Sequence, residues 1–435
     1  MQSSSLKQLW VLMATVFVDM MGFLIVAPTL PFYATHLGAR PLVVTLIISS
    51  YFFAQLLSAP FWGRFSDRYG RRPALLVGLG SSAVAYLLFG FASSIWLLFL
   101  FRMVQGAGGG TTGVVQAYVS DSVPPEKRAE ALGWISAATS AGVMIGPLLG
   151  SLASYLGQSG PGLLAAGLCI LNCLSAWRWL PESHRHEPTE AGAPKPVRQP
   201  LLRSVAKVLS EPGSPVSSLI WIYTIGMLAF MGMNGILALY LGKVYGFTEH
   251  TIGYLYGYIG AIGIVMRAVL LGPTIRRFGE VGVTRMGSLA LVLGLGLAPV
   301  PALFAFSQPV RFVLLALALL LVPVGTALLF PATTALVSRC AARSEMGQTM
   351  GVQQAFGSVA RLVGPIAAGA LYEVDIRFPF WAAAAVMLAT GFLTSRLREP
   401  AGEPQMPAVT PLPPILNEMP LVEETPEEVP AADRV

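Results

Sequence analysis

Apolar positions along this chain form long runs of roughly twenty residues, without the period-two alternation of a half-buried strand. A helix rising about 1.5 Å per residue needs roughly 20 mainly apolar residues to cross a bilayer. Twelve runs reach that length, at 9–31, 41–62, 73–93, 96–119, 130–156, 161–180, 215–241, 250–274, 283–304, 311–337, 347–371 and 377–397. The first is too long for a signal-peptide core, carries Asp19 and lacks a convincing cleavage site, so it counts as a span. The pattern predicts an all-α polytopic membrane protein with twelve transmembrane helices.

Residues 181–214, rich in Pro and charge, read as a cytoplasmic linker between an N-terminal six-helix bundle at 1–180 and a C-terminal one at 215–398. The Pro- and Glu-rich stretch 399–435 reads as a disordered cytoplasmic tail. The halves repeat one another. "GRFSDRYG" from Gly63 to Gly70 matches "GPTIRRFG" from Gly272 to Gly279 at an offset of 209. Gly133, Ser140, Gly146 and Pro147 match Gly351, Ser358, Gly364 and Pro365 at an offset of 218. Two blocks in the same order predict a duplication, hence two six-helix pseudo-repeat bundles.

Composition sharpens this picture. Of 435 residues 54% are hydrophobic and 11% charged, against about 25% charged in an ordinary soluble domain. A soluble enzyme and a nucleic-acid binder are both disfavoured. The net charge of +6 invites a nucleic-acid partner until the basic residues are placed. Most lie in the linker, the tail and the loops on one side of the membrane. Arg40, Lys243, Arg311 and Arg377 fall on the other side, and Arg102, Arg267 and Arg361 fall within spans. The positive-inside rule then puts both termini in the cytoplasm and removes the need for nucleic acid. Cys169, Cys173 and Cys340 form no disulfide framework. His184, His186 and Glu187 lie in the linker, so a solvated loop rather than a metal site is expected there. Without a phosphate-cradling Gly-Lys-Ser/Thr loop, no cofactor is expected and the drive falls to an ion or substrate gradient.

Charges inside spans are expensive and mark function. Asp19 lies about ten residues into the first span, roughly 15 Å deep, and is the one acid placed near the midplane. Burial and a nearby Arg push its protonation in opposite directions, which suits a proton carrier. A static Asp19–Arg102 pair joining spans one and four is the alternative. Arg102 and Gln105 share a helix face at i,i+3, and Arg102 acts as a fixed charge. Arg361 is mid-span, whereas Arg267 lies near the inner end of its span and can snorkel. Three Arg against one Asp leave the spans positive, which opens a second reading in which an anion is carried. Further cavity candidates are Gln55, Asn234 and Tyr258, whose polar groups need partners in the bilayer.

The loop "GRFSDRYGRR" gathers Gly63, Asp67, Arg68, Gly70, Arg71 and Arg72 between two spans. Asp67 can accept charge-assisted hydrogen bonds and so latch the cytoplasmic face in one conformation. Gly142, Gly146, Pro147 and Gly150 offer a small-residue face for close helix packing, which can also seal the two bundles against each other.

The loop decapeptide resembles the signature of the major facilitator superfamily, with Phe65 in the usual Leu place. "RMVQGAGGG" from Arg102 is similar to the family's fourth-span motif, "GVMIGPLLGS" from Gly142 to the fifth-span motif of its exporters, and "DMMGFLIVAPTLP" from Asp19 to the drug:proton antiporter branch. The resemblance implies two six-helix bundles rocking about a central cavity; a monomer, protons as coupling ion and a small amphipathic substrate are expected with it, and the short loops and high Ala and Gly content suit a bacterial cytoplasmic membrane. A non-transporting sensor or scaffold on the same fold is the rival of another class. The second-half repeat departs from the signature, because Arg276 replaces the loop Asp; any acid latch belongs to the N-terminal half.

Overall fold

The computed structural model describes residues 3–109, 112–183, 201–304, 306–341, 345–395 and 397. Helices account for nearly all of them: α1 Ser3–Val26, α2 Leu30–His36, α3 Pro41–Tyr69, α4 Arg71–Gly90, α5 Ile95–Gly108, α6 Thr112–Ser122, α7 Pro125–Ser154 and α8 Gly160–Trp179 in the first half. Helix α9, Leu201–Ser210, follows. The second half holds α10 Pro215–Tyr245, α11 Ile252–Val265, α12 Leu271–Leu297, α13 Gln308–Cys340, α14 Met346–Val374 and α15 Phe378–Ser395, with a π-helical turn Met266–Leu270 between α11 and α12.

Ten helical segments among the described residues are long and apolar enough to span a bilayer. One of them, Ile252–Ala302, is 51 residues long and holds two passes folded at Gly279, where φ is 70° and ψ 170°. The pair α5 and α6, on either side of residues 110–111, supplies another pass. The architecture thus accords with twelve transmembrane helices. Helix starts carry expected caps: Ser94 Oγ accepts from Leu97 N–H and Ser214 Oγ from Ser217 N–H, both at 3.3 Å.

The duplication is written in the backbone as well as the sequence. Gly70 ends α3 at φ 102° and ψ 160°, nearly the conformation of Gly279, its counterpart 209 positions on. No other residue type adopts that region comfortably. The packing repeats too. Helix α7 lies along α1, and α14 lies along α10. A Cβ on Gly142, Gly146 or Gly150 would stand 2.5, 2.8 or 2.2 Å from the carbonyl oxygens of Phe17, Met21 and Ile25. Glycines four apart on α7 therefore let it touch successive turns of α1. A Cβ on Gly364 would likewise stand 2.7 Å from the Leu228 carbonyl of α10.

Each half has its own apolar core: one built around Met21, Ile47, Tyr86, Leu98 and Cys169, the other around Met233, Tyr240, Leu291, Leu319 and Phe380. Large apolar side chains such as Trp96, Leu156 and Leu171 remain exposed on the outer surface, as a lipid-facing wall requires. Within the expected linker the stretch LLRSVAKVLS folds as α9. Its apolar residues recur at helical spacing, and Val208 buries itself among Leu219, Ile220 and Leu336. Composition over the whole 181–214 stretch hides this short amphipathic period. Residues 184–200, with His184 and His186, and the tail 399–435 lie outside the described residues.

Candidate functional site

The two halves meet along two seams, both toward the end of the molecule that carries residues 37–40, 246–251 and 375–377. In the first, α3 faces α14: Leu42 N–H donates to Glu373 Oε1 at 3.2 Å, Ser49 Oγ donates to the Leu362 carbonyl at 2.9 Å, and Thr45 lies against Gly369. In the second, α7 faces α11. Ser151 Oγ donates to the Glu249 carbonyl at 2.8 Å and accepts from Gly253 N–H at 2.7 Å. Ser154 Oγ is 2.6 Å from His250 Nδ1, and the His250 ring stacks on Tyr155 at 4.5 Å. Gly253, Gly257 and Gly260 of α11 receive Pro147, Leu148 and Met144 of α7. The sealing surface thus differs from the one expected from sequence. Gly142, Gly146 and Gly150 spend their smoothness on α1 of their own half, and Pro147 sits on the face that meets α11.

At the Arg-rich end, Gly70 turns the chain so that Arg71 and Arg72 begin α4. Their N–H groups donate to Glu182 Oε1 at 2.8 Å and Oε2 at 3.1 Å, so a carboxylate from beyond α8 caps the helix and its dipole. Arg71 reaches Asp67 at 2.6 Å and Asp121 at 2.9 Å, and donates to Ser66 Oγ at 2.9 Å. Arg72 donates to the Trp177 carbonyl. Arg68 lies over the Tyr69 ring and Gly63 faces open space. Every partner named here belongs to the N-terminal half, and Asp67 keeps 67% of its side chain exposed. In this conformation its carboxylate bonds within its own half.

Asp19 lines a cavity of about 490 Å³ between α1, α6 and α7, with Gln116, Ser120, Ser136 and Thr139. Arg102 is fully buried. The alternative Asp19–Arg102 pair is not formed: among the described residues no carboxylate lies within ion-pair distance of Arg102, Arg267 or Arg361. Arg102 instead lies between two aromatic rings, 5.3 Å from the centroid of Phe23 and 4.9 Å from that of Tyr51. Those ring faces attract the guanidinium without a counter-charge. Its Nη1 donates to Gln105 Oε1 at 2.6 Å, while its Nε and Nη2 have no hydrogen-bond partner among the described residues. Tyr86, packed against Gly22, feels Asp19 on one side and neighbours Gln105 on the other.

Gln55 joins this group. It donates to the Gly109 carbonyl at 3.1 Å and to the Tyr51 hydroxyl at 3.4 Å. Tyr51 lies within electrostatic reach of Asp19 and Arg102 and of Arg361 in the second half. Arg361 on α14 is half-buried and neighbours Tyr223 of α10. Other candidates satisfy themselves elsewhere: Asn234 Nδ2 donates to the Phe230 carbonyl of its own helix at 2.9 Å, and the Tyr258 hydroxyl to the Ala316 carbonyl at 3.2 Å. Arg267 sits in the π-helical turn, exposed and apart from the others. Phe23, Tyr51, Tyr86 and Tyr223 were not among the sequence candidates. Tyr51 stands four residues before Gln55, one helical turn on the same face, which is the only sequence signal that points to it.

A two-half helical bundle with closed seams at one end and a polar core near mid-depth is the layout of an alternating-access carrier. The model of the Major Facilitator Superfamily matches residues 12–307 and 289–423, and the chain belongs to that family. It is 28% identical over 398 residues to multidrug resistance protein 1 of Bacillus subtilis (strain 168), covering 90% of this chain and 97% of that one. It is 29% identical over 388 residues to the class C tetracycline resistance protein of Escherichia coli, covering 84% and 89%. The crystal structure of the nucleoside transporter NupG superposes with a TM-score of 0.72 at 13% identity over 90% of this chain and 99% of that one. The protein is a multi-pass membrane transporter of a small molecule, not an enzyme.

Proposed function

We propose that this protein is a proton-coupled antiporter that exports an amphipathic small molecule across a bacterial cytoplasmic membrane as a monomer, with both termini inside. On that orientation the closed seams lie outside and the Asp19 cavity faces the cytoplasm. The observation that carries the reading is Asp19: a half-buried carboxylate on a cavity wall with, among the described residues, no cation paired to it. A carboxylate without a paired cation can gain and lose a proton cheaply as its access changes, whereas one locked to Arg cannot. Relatives bearing multidrug and tetracycline resistance names support export as the direction.

Proton and substrate must prefer different conformations for coupling to arise. A proton entering from outside neutralises Asp19, the bundles rock, and the proton leaves into the cytoplasmic cavity while substrate takes its place. Asp67, Arg71 and Asp121 set the cytoplasmic loop that must close in the other conformation. The test uses proteoliposomes carrying an internal pH indicator and two permanently charged probes of similar size, 2-naphthalenesulfonate and (2-naphthylmethyl)trimethylammonium. Wild type moves protons when one probe is imposed as a gradient. Proton movement by neither probe, or undiminished movement in Asp19→Asn, contradicts the reading.

A further inference from the structure

Gly357 and Arg361 stand one turn apart on α14, and between them they shape the second-half wall of the polar core. A Cβ on Gly357 would lie 2.8 Å from Tyr223 Cε1, so the missing side chain lets the tyrosine ring lie flat on α14 and brings its hydroxyl alongside Arg361. Phe330 meets the Tyr223 ring at 5.3 Å and the Phe230 ring at 6.3 Å, and the apolar surface continues through Met227. Arg361 is half-buried with no carboxylate at ion-pair distance among the described residues. Across the seam Tyr51 feels its charge together with that of Arg102, whose Nε and Nη2 are buried with no hydrogen-bond partner among the described residues. Asp19, the carboxylate that also reaches Tyr51, stands on α1 of the other half and is assigned to the proton.

Two fixed cations against one titrating carboxylate leave the core net positive even when Asp19 is ionised, the state in which the exchange cycle loads substrate. Buried cations are stable when they are paired, and a transported group that completes the pair is held strongly. We propose that the substrate is an amphipathic organic anion, a carboxylate or sulfonate on an aromatic body, whose acid group seats on Arg361 beside Tyr223 and whose body lies against Phe330 and Phe230. Arg102, shielded behind the Tyr51 ring, supplies fixed positive field rather than a contact. The proposal rests on the transport reading above and names its substrate class. It also makes the exchange electrogenic, since an anion leaving and a proton entering carry charge in the same sense.

The experiment compares 2-naphthalenesulfonate with (2-naphthylmethyl)trimethylammonium on the purified full-length protein by ligand-induced thermal shift, then in proteoliposomes. The sulfonate is expected to bind wild type at least tenfold more tightly than the ammonium. Arg361→Gln should weaken the sulfonate at least tenfold, Arg361→Lys should restore part of the loss, and Tyr223→Phe should weaken it several-fold. Preference for the ammonium, or sulfonate binding untouched by Arg361→Gln, overturns the proposal. The wild-type preference decides the matter even if Arg361→Gln does not fold. Proton-coupled movement of the ammonium alone would overturn the anion assignment and leave the antiport reading standing. Arg361-dependent sulfonate binding without proton coupling would do the reverse.

Discussion

Gly253→Val tests the seam that closes one end of the molecule. A Cβ at Gly253 would stand 2.1 Å from the Pro147 carbonyl oxygen and 2.5 Å from Ser151 Oγ. The first neighbour is backbone and cannot rotate away, so α7 and α11 must separate by roughly 1 Å to reach ordinary contact. That separation stretches the two hydrogen bonds of Ser151 and the Ser154–His250 contact, which depend on the same approach. Overpacking of a fitted interface costs about 1–3 kcal/mol, a factor of about 5–150 in the ratio of closed to open states. The opposite conformation parts these helices and escapes the clash. Spin labels at Leu156 and Thr248, both exposed, report the gap once Cys169, Cys173 and Cys340 are replaced. A long-distance population should appear in Gly253→Val and not in the control Gly167→Val, where a Cβ meets open space. An unchanged distance distribution in a folded Gly253→Val protein would refute the argument.

The remaining predictions concern the polar core and its loops. A double-mutant cycle on Asp19→Asn and Arg102→Met, read by thermal unfolding in detergent, should give a coupling below about 0.5 kcal/mol. A direct buried pair would give about 3–5 kcal/mol on breaking it. Glu182→Gln should cost about 1 kcal/mol by weakening the α4 cap. Gly70→Ala should cost about 1–2 kcal/mol from its positive φ alone, with more from a Cβ placed 2.5 Å from Glu182 Oε2; equal melting curves for the two variants would count against this ordering. The Asp375 carboxyl, hydrogen-bonded by Arg377, is held down at about 2. Because that shift is downward, its contribution is complete above about pH 4 and is lost as pH falls toward 2. Asp375→Asn should therefore leave the pH dependence of transport between 5 and 8 unaltered.

The spans and the duplication were legible because lipid enforces them locally: a run of apolar residues has few other uses, and Gly70 and Gly279 must recur wherever the same turn recurs. Asp19, Arg102 and Arg361 stood out for the same reason, as charges inside apolar runs. Their pairing was not legible. The obvious partner for Arg102 was the nearest acid, yet aromatic faces and a glutamine hold it, and Phe23 and Tyr51 look like ordinary packing until tertiary structure brings them over the guanidinium. Nor does sequence show that Asn234 Nδ2 and the Tyr258 hydroxyl each find a backbone carbonyl as partner. The Gly142–Gly150 face was readable as a packing surface, but sequence does not say which neighbour it meets. Helix α9 was missed because its period spans only ten residues inside a Pro-rich stretch.

The central claim is that Asp19 carries the coupling proton. Proteoliposomes loaded with 2-naphthalenesulfonate or its ammonium counterpart allow net transport driven by a pH gradient to be separated from one-for-one exchange of probe across the membrane. Asp19→Asn, neutral and nearly isosteric, should abolish the gradient-driven component and retain exchange. Gradient-driven transport by Asp19→Asn at the wild-type rate would contradict the account.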